Sequence, residues 1–337
     1  MKILRPDAEA GSARSDATKS VQLARLSSSH NISSIVLRAC AFVLCLALVL
    51  LAGFGLFDSQ AQSGERVVVP PLSSAAMSLL ETGSPSKPPS QSPKQTPEEI
   101  KIVSYNIRWR GGEDLLKLIE QLRGGDAIGR ADIIGLQEVD RNRKRTQNVN
   151  TARQMAEALG MHYAWAAPPQ EKGEKEEGTG VAILSPFPLT DVERMVLPHE
   201  GPNGRRRVGI GATVRVGDTP VRVYSIHAET RLKMELKMEQ LGAALEDLRR
   251  HPTIKHAVVL GDFNTIKSKD VRGARKLFTE AGFNTPHPDD RDTFRAVFIE
   301  FKLDWIWLRG LTATDSGIAR NIGFSDHWPL WVKARLK

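Results

Sequence analysis

The chain has 337 residues, 41% apolar and 26% charged, a balance that excludes a wholly disordered chain and predicts a folded core over most of the length. Its formal net charge of +8 suits phosphate-bearing partners such as nucleic acid, nucleotides or anionic lipid, and equally suits a mildly basic solvated surface. Both cysteines, Cys40 and Cys45, fall inside one apolar run, so the remainder uses neither disulfides nor a thiol nucleophile.

Residues 1–33 are rich in Ser, Ala and charge with no apolar period, and are expected to be disordered. Residues 34–57 read as a membrane-spanning signal anchor, because 39–57 carry no charge over a length that can cross a bilayer. Lys2, Arg5, Arg14, Lys19, Arg25 and Arg38 precede this run, and Arg66 alone follows within twenty residues. That asymmetry keeps the N-terminus cytoplasmic and sends the rest across, to the periplasm if the source is bacterial. The competing reading is a signal peptide cleaved near Ser59-Gln60-Ala61, which would make the protein secreted. Residues 58–99 contain seven prolines and read as an extended linker, with a short apolar turn in AAMSLLE.

From residue 100 onward, short β-rich runs alternate with helical periods. KIVSYNI (101–107), ADIIGLQEV (131–139), VAILS (181–185), IGATVRV (210–216), VRVYSIHA (221–228), HAVVLGDF (256–263), KLDWIWL (302–308) and WPLWVKARL (328–336) predict strands. Helices are predicted at 115–122, at 150–161 between an Asn or Thr start and Gly160, at 231–250 with an apolar stripe of Met234, Met238, Leu241, Leu245 and Leu248, and at 269–283. EKGEKEEG (171–178) reads as a charged loop. The strand count favours two packed sheets with helices outside over a doubly wound parallel sheet.

The polar residues cluster where these strands end: Asn106, Glu138, His227, Asp262 with Asn264, Asp304, and Asp326 beside His327. Each has a plainer reading alone. Asn106 caps a turn, GDFN is a turn, and a lone histidine at a strand end is most often satisfied by its neighbours. Asp304 is harder to dismiss, because a carboxylate in an apolar run needs a partner, and a histidine is the natural one. Together the groups form an oxygen-rich set without sulfur, suited to a hard cation such as Mg²⁺ or Mn²⁺.

The ordered series SYNIRW, GLQEVD, GVAILS, SIHAE, GDFN, LDWIW and SDHWPL resembles the endonuclease/exonuclease/phosphatase family across residues 101–335. The resemblance implies a four-layered α/β sandwich, two mixed sheets flanked by helices, as a single catalytic domain over residues 100–337. It implies metal-assisted hydrolysis of a phosphate ester. Glu138 resembles the principal metal ligand, with Asn106 beside it and Asp326 as a second metal contact or a contact through metal-bound water. His327 resembles the catalytic histidine and Asp304 the carboxylate that orients it, the pair acting as base toward water. Asp262 resembles the residue that positions this water, and Asn264 a donor to the phosphoryl oxygens. His227 at the end of SIHA resembles the deoxyribonuclease and sphingomyelinase branches, where it protonates or hydrogen-bonds the phosphate. Abasic-site endonucleases resemble Tyr-x-Pro-Asn there, and the 5-phosphatase pattern is absent. Arg207 resembles an arginine on the substrate phosphate, with Arg205 and Arg206 leaving the register open by a residue. With RNRKR (141–145) these arginines form either a positive rim or a solvated loop. Few aromatics accompany them, so no base-stacking platform is expected.

The expected function is a divalent-metal-dependent phosphodiesterase acting outside the cytoplasm on a lipid head group or a nucleic acid, with no obligate protein partner. Two alternatives stand beside it: an extracytoplasmic endonuclease, and a non-catalytic docking module on the same fold.

Overall fold

The computed structural model describes residues 79–86, 97–169 and 178–336. The expected disordered segment 1–33, the expected anchor 34–57 and most of the charged loop 171–178 lie outside these residues. Among the described residues, no helix is long and apolar enough to cross a membrane.

Two mixed sheets lie face to face. In the first, β1 (Leu80–Gly83), β4 (His162–Ala166), β5 (Gly178–Ser185), β3 (Ile133–Arg141), β2 (Ile100–Asn106), β14 (Leu330–Leu336) and β13 (Leu311–Ile318) are neighbours in that order. In the second the order is β12 (Asp304–Arg309), β9 (His256–Asp262), β8 (Thr219–His227), β7 (Val208–Val216) and β6 (Leu189–Val196). Each sheet holds one parallel pair, β2 with β3 and β8 with β9. Parallel neighbours need a crossover, which a helix supplies here. These helices are α1 (Gly112–Gly124) and α3 (Met234–Arg249).

Residues Ile102, Ile133, Ile183, Ile210, Val258 and Ile306 are fully buried in the layer between the sheets. A second apolar layer joins the outer face of the first sheet to α1 and α2 (Thr151–Leu159), through Leu115, Leu118, Met155 and Leu136. A third joins the second sheet to α3 and α4 (Ser268–Glu280), through Leu241, Ala244, Phe278 and Trp307. The sandwich expected from the strand count is therefore present, with helices outside both sheets. Its local signals also hold: Asn150 caps α2 by accepting from the amides of Ala152 and Arg153, and Gly160 ends it in the left-handed region.

The structure adds to the sequence reading at the sheet margins. Residues 80–83, read as linker, form β1 and pair with β4. Glu81 fixes this strand through Arg153 and Tyr163. The buried face of α3 is also more polar than its expected stripe, with Lys237, Gln240 and Asp247 buried and Met238 and Leu245 only partly so. Asp247 receives Arg222, a fully buried arginine on β8 (Nη2 to Oδ2, 2.7 Å), and the Tyr224 hydroxyl at 2.7 Å.

Candidate active site

Register alone brings part of the site together. His227 is opposite Asp262 across β8–β9, and Asp262 is opposite Asp304 across β9–β12. Three chemically active side chains thus occupy one row at one edge of the second sheet. Asn106 and Glu138 end the parallel pair of the first sheet, facing the same edge. Asn106 links the two sheets: its Nδ2 donates to Asp262 Oδ2 at 3.0 Å and to Glu138 Oε1 at 3.4 Å.

Glu138 sits at an irregularity where the pairing of β3 with β5 shifts between Gln137 and Val139. Its φ is +56°, costly for a residue with a side chain. A bulge re-aims a side chain that regular pleating would send elsewhere, and here it leaves the carboxylate at the wall of a cavity shared with His227 and Arg207. Asn264 also has positive φ (+52°). Its backbone N–H donates to Asp262 Oδ1 at 3.0 Å, and its Nδ2 donates to the Ala228 carbonyl at 3.0 Å while keeping a second N–H. The loop is held from below by buried Lys237, whose ammonium donates to the Asn264 carbonyl.

His327 is 5% exposed, and its Nδ1 lies 2.8 Å from Asp304 Oδ2. Its other nitrogen, Nε2, is 3.7 Å from Asp262 Oδ2. A short hairpin of β10 (Phe294–Ala296) and β11 (Ile299–Phe301) fixes the ring. Phe294 packs edge-on against the imidazole at 4.8 Å, and the Trp328 amide donates to the Thr293 carbonyl. The Thr293 hydroxyl in turn accepts from the Asp304 amide at 2.9 Å. At its other end the hairpin leaves Val297 and Phe298 66% and 86% exposed.

The electrostatics assign charge states. Burial works against a charged His327, but the carboxylates of Asp304 and Asp262 outweigh it and raise the ring to about 9. Burial, reinforced by Asp304 and opposed by His327, pushes Asp262 up to about 7. Burial and the cations Arg207 and Arg205 hold His227 well below the usual histidine range, so it is neutral. Arg207 Nη1 lies 3.1 Å from His227 Nε2, and its Nε donates to Glu229 at 2.9 Å. Of the three arginines left open by sequence, Arg207 is the buried one against the histidine.

A hard divalent cation fits these residues. Asp262 and Asp304 are buried carboxylates in one row, and Asp304 Oδ1 is buried with no hydrogen-bond partner. Asp262, Asp304 and His327 each offer a ligand atom within 4.8 Å of the others. The Asp304–His327 hydrogen bond already occupies two of these atoms, so Glu138, with Asn106 and Asp262 beside it, is the freer set of oxygens. Asp326 Oδ2 pairs with Arg108 at 2.8 Å. Sequence reasoning missed Arg108, Glu229, Lys237 and Thr293. No local pattern marks them, because each acts by holding a residue distant in the chain.

The protein-family model described as Endonuclease/Exonuclease/phosphatase family matches residues 103–327. No curated protein matches the chain in sequence. Among solved structures, the fold resembles the endonuclease/exonuclease/phosphatase from Beutenbergia cavernae DSM 12333 (TM-score 0.56, 17% identity, 71% of this chain and 72% of that one). It also resembles the human Nocturnin catalytic domain with bound sulfate (TM-score 0.54, 18% identity, 71% and 95%). A third is the Bacteroides thetaiotaomicron VPI-5482 mannosyl-6-phosphatase (TM-score 0.51, 18% identity, 70% and 99%). At such identities these structures speak for the fold, whereas the family match spans the row of acids and histidines itself. On that match the chain belongs to the Endonuclease/Exonuclease/phosphatase family and is a hydrolase of phosphate esters.

Proposed function

We propose that this protein is a divalent-metal-dependent phosphodiesterase acting outside the cytoplasm. The observation that carries the reading is the 2.8 Å Asp304–His327 pair facing Asp262, in reach of Asn106 and Glu138. Glu138 and Asn106 would hold the cation, Mg²⁺ or Mn²⁺. When bound, it neutralises a phosphate oxygen and the charge growing on the leaving oxygen.

The roles within the pair shift from the sequence expectation. The carboxylates of Asp304 and Asp262 raise His327 and favour its protonated form at neutral pH, which leaves it less available than Asp262 as a base. His327 instead donates from Nε2 to a phosphate oxygen, with Nδ1 fixed by Asp304. Asp262, raised to about 7, is the better base for the attacking water. Neutral His227 and Arg207 donate to the remaining oxygens, and the second N–H of Asn264 is available to the transition state.

A pH profile tests this division. Activity needs Asp262 ionised and His327 protonated. The rate of bis(4-nitrophenyl) phosphate hydrolysis with the cation bound therefore rises on a limb below about 7 and falls on a limb below about 9, because the cation lowers both from their metal-free positions. His327→Gln removes the alkaline limb; an alkaline limb that survives this change removes His327 as the proton donor. Monoester preference, as the name of the Bacteroides neighbour suggests, would appear as faster turnover of 4-nitrophenyl phosphate.

The charge-free run 39–57 and the basic residues before it support placement outside the cytoplasm. Digestion of residues 100–337 by protease added outside intact spheroplasts tests this, and protection would refute it. The exposed apolar tip of the hairpin whose base packs on His327 supports a lipid-borne phosphodiester. The arginines around Glu138 support the second reading, an extracytoplasmic endonuclease. Duplex binding that weakens steeply with salt favours the nuclease.

A further inference from the structure

The cavity at the wall of which Glu138 and His227 stand has a volume of about 420 Å³ and is lined by four arginines, Arg145, Arg205, Arg206 and Arg207. Three of them are matched inside the protein. Arg145 binds both oxygens of Asp140, at 2.7 and 2.9 Å. Arg206 pairs with Glu200 at 2.9 Å, and Arg207 with buried Glu229 at 2.9 Å. Among the described residues, no side chain pairs with Arg205. Arg205 is exposed at the cavity rim, where Arg207 disfavours its charge and the carboxylates of Glu229 and Glu138 favour it.

The cavity is also shaped rather than incidental. Trp109 forms one wall, with Arg145 4.2 Å from its ring centre. It is held in the left-handed region (φ +54°), as is Arg108 before it (φ +45°). Its backbone N–H donates to the Glu138 carbonyl at 2.9 Å. The cavity wall and the Glu138 bulge are thus one unit, and the strain they share is of the kind that accumulates at ligand sites.

Charge decides what the cavity takes. A phosphodiester at the hydrolytic centre carries one negative charge, and the cation on Glu138 meets it. Arg205 is left over. We propose that Arg205 is a specificity-determining residue that binds a second phosphate of the substrate, beside the one being hydrolysed. The substrate class is therefore a phosphate ester bearing a further phosphate nearby. Successive phosphates of a nucleic acid have this chemistry, and so does a phosphorylated lipid head group. This rests on the proposed function for the position of the first phosphate.

Calorimetric titration of the purified protein in magnesium buffer tests it, with four probes in two pairs. Thymidine 5′-phosphate against thymidine 3′,5′-bisphosphate represents a nucleotide source. Inositol 1-phosphate against inositol 1,4-bisphosphate represents a head group. The wild type binds at least one bisphosphate about tenfold or more tightly than its monophosphate, the scale of one hydrogen bond to a charged group. Arg205→Ala abolishes that preference, and Arg205→Lys recovers part of it. The pair that shows the preference identifies the source. Equal binding within both pairs, a preference that persists in Arg205→Ala, or no binding by any probe overturns the subsite. Hydrolysis of bis(4-nitrophenyl) phosphate, which has one phosphate, is the separate check on the proposed function. Turnover without a bisphosphate preference removes the subsite and leaves the function standing.

Discussion

His327→Gln lowers kcat for bis(4-nitrophenyl) phosphate by roughly 10³-fold, within the range that a positioned acid or base contributes. KM moves little, because His327 acts on charge that develops in the transition state. Glu138→Gln gives a different signature. It raises the cation concentration needed for half-maximal rate by more than the roughly 10–100-fold that a merely supporting residue costs, whereas His327→Gln leaves that concentration in place. The contrast separates the residue that holds the cation from the one that donates a proton. Near-normal kcat in folded His327→Gln would remove the histidine from the chemistry, and equal shifts in both variants would remove Glu138 from the cation.

Asp247→Ala is the largest change in stability. Arg222 is fully buried and Asp247 nearly so. Burial alone would raise the Asp247 carboxyl, but hydrogen bonds from Tyr224 and Arg222 hold it below its ordinary value. Removing it strands a guanidinium in the interior between β8 and α3, at a cost of about 3–5 kcal/mol. For a domain of this size the midpoint of thermal unfolding falls by roughly 10 °C. The site residue His227 ends the same strand as Arg222, so the loss reaches the active edge as well. Replacing both partners, Arg222→Met with Asp247→Leu, recovers much of the stability because no charge is left unpaired. A shift below about 1 kcal/mol in the single variant would show that water reaches the arginine.

These two positions mark the limits of what the sequence discloses. The central strands were legible because both their faces are buried, leaving nearly continuous apolar runs such as AVVLG before Asp262. Three strands at the margins were not, although the edge strand β12 was and the interior strand β4 was missed. β1, β13 and β6 are edge strands, each with one side unpaired, and their sequences LETG, LTATDSGI and LTDVERMV mix charge with apolar residues, as edges exposed to solvent do. The β10–β11 hairpin escaped notice for another reason. Its turn residues, Val297 and Phe298, are poor turn formers, and Val297 adopts a positive φ (+56°).

The site divides in the same way. Asn106, His227, Asp262 and Asp304 each stand at a strand end, and Glu138 and His327 stand where predicted strands were expected to end or begin, so strand prediction found them. The ion pair of Asp326 with Arg108 was not legible, because Arg108 is more than two hundred residues away in sequence and only the fold brings it near. The charge states of the pair were not legible for a related reason. Which of Asp262 and His327 holds the proton depends on burial and on Asp304, a third group whose proximity comes from the β9–β12 register.

The most direct measurement is the hydrolysis of bis(4-nitrophenyl) phosphate by the purified protein with Mg²⁺ or Mn²⁺, followed by excess chelator and then by restored metal. The account predicts turnover that stops on chelation, returns with the metal, and needs far more metal in Glu138→Gln. Turnover that is indifferent to chelator, or folded protein that binds the cation as tightly without Glu138 as with it, would contradict the account.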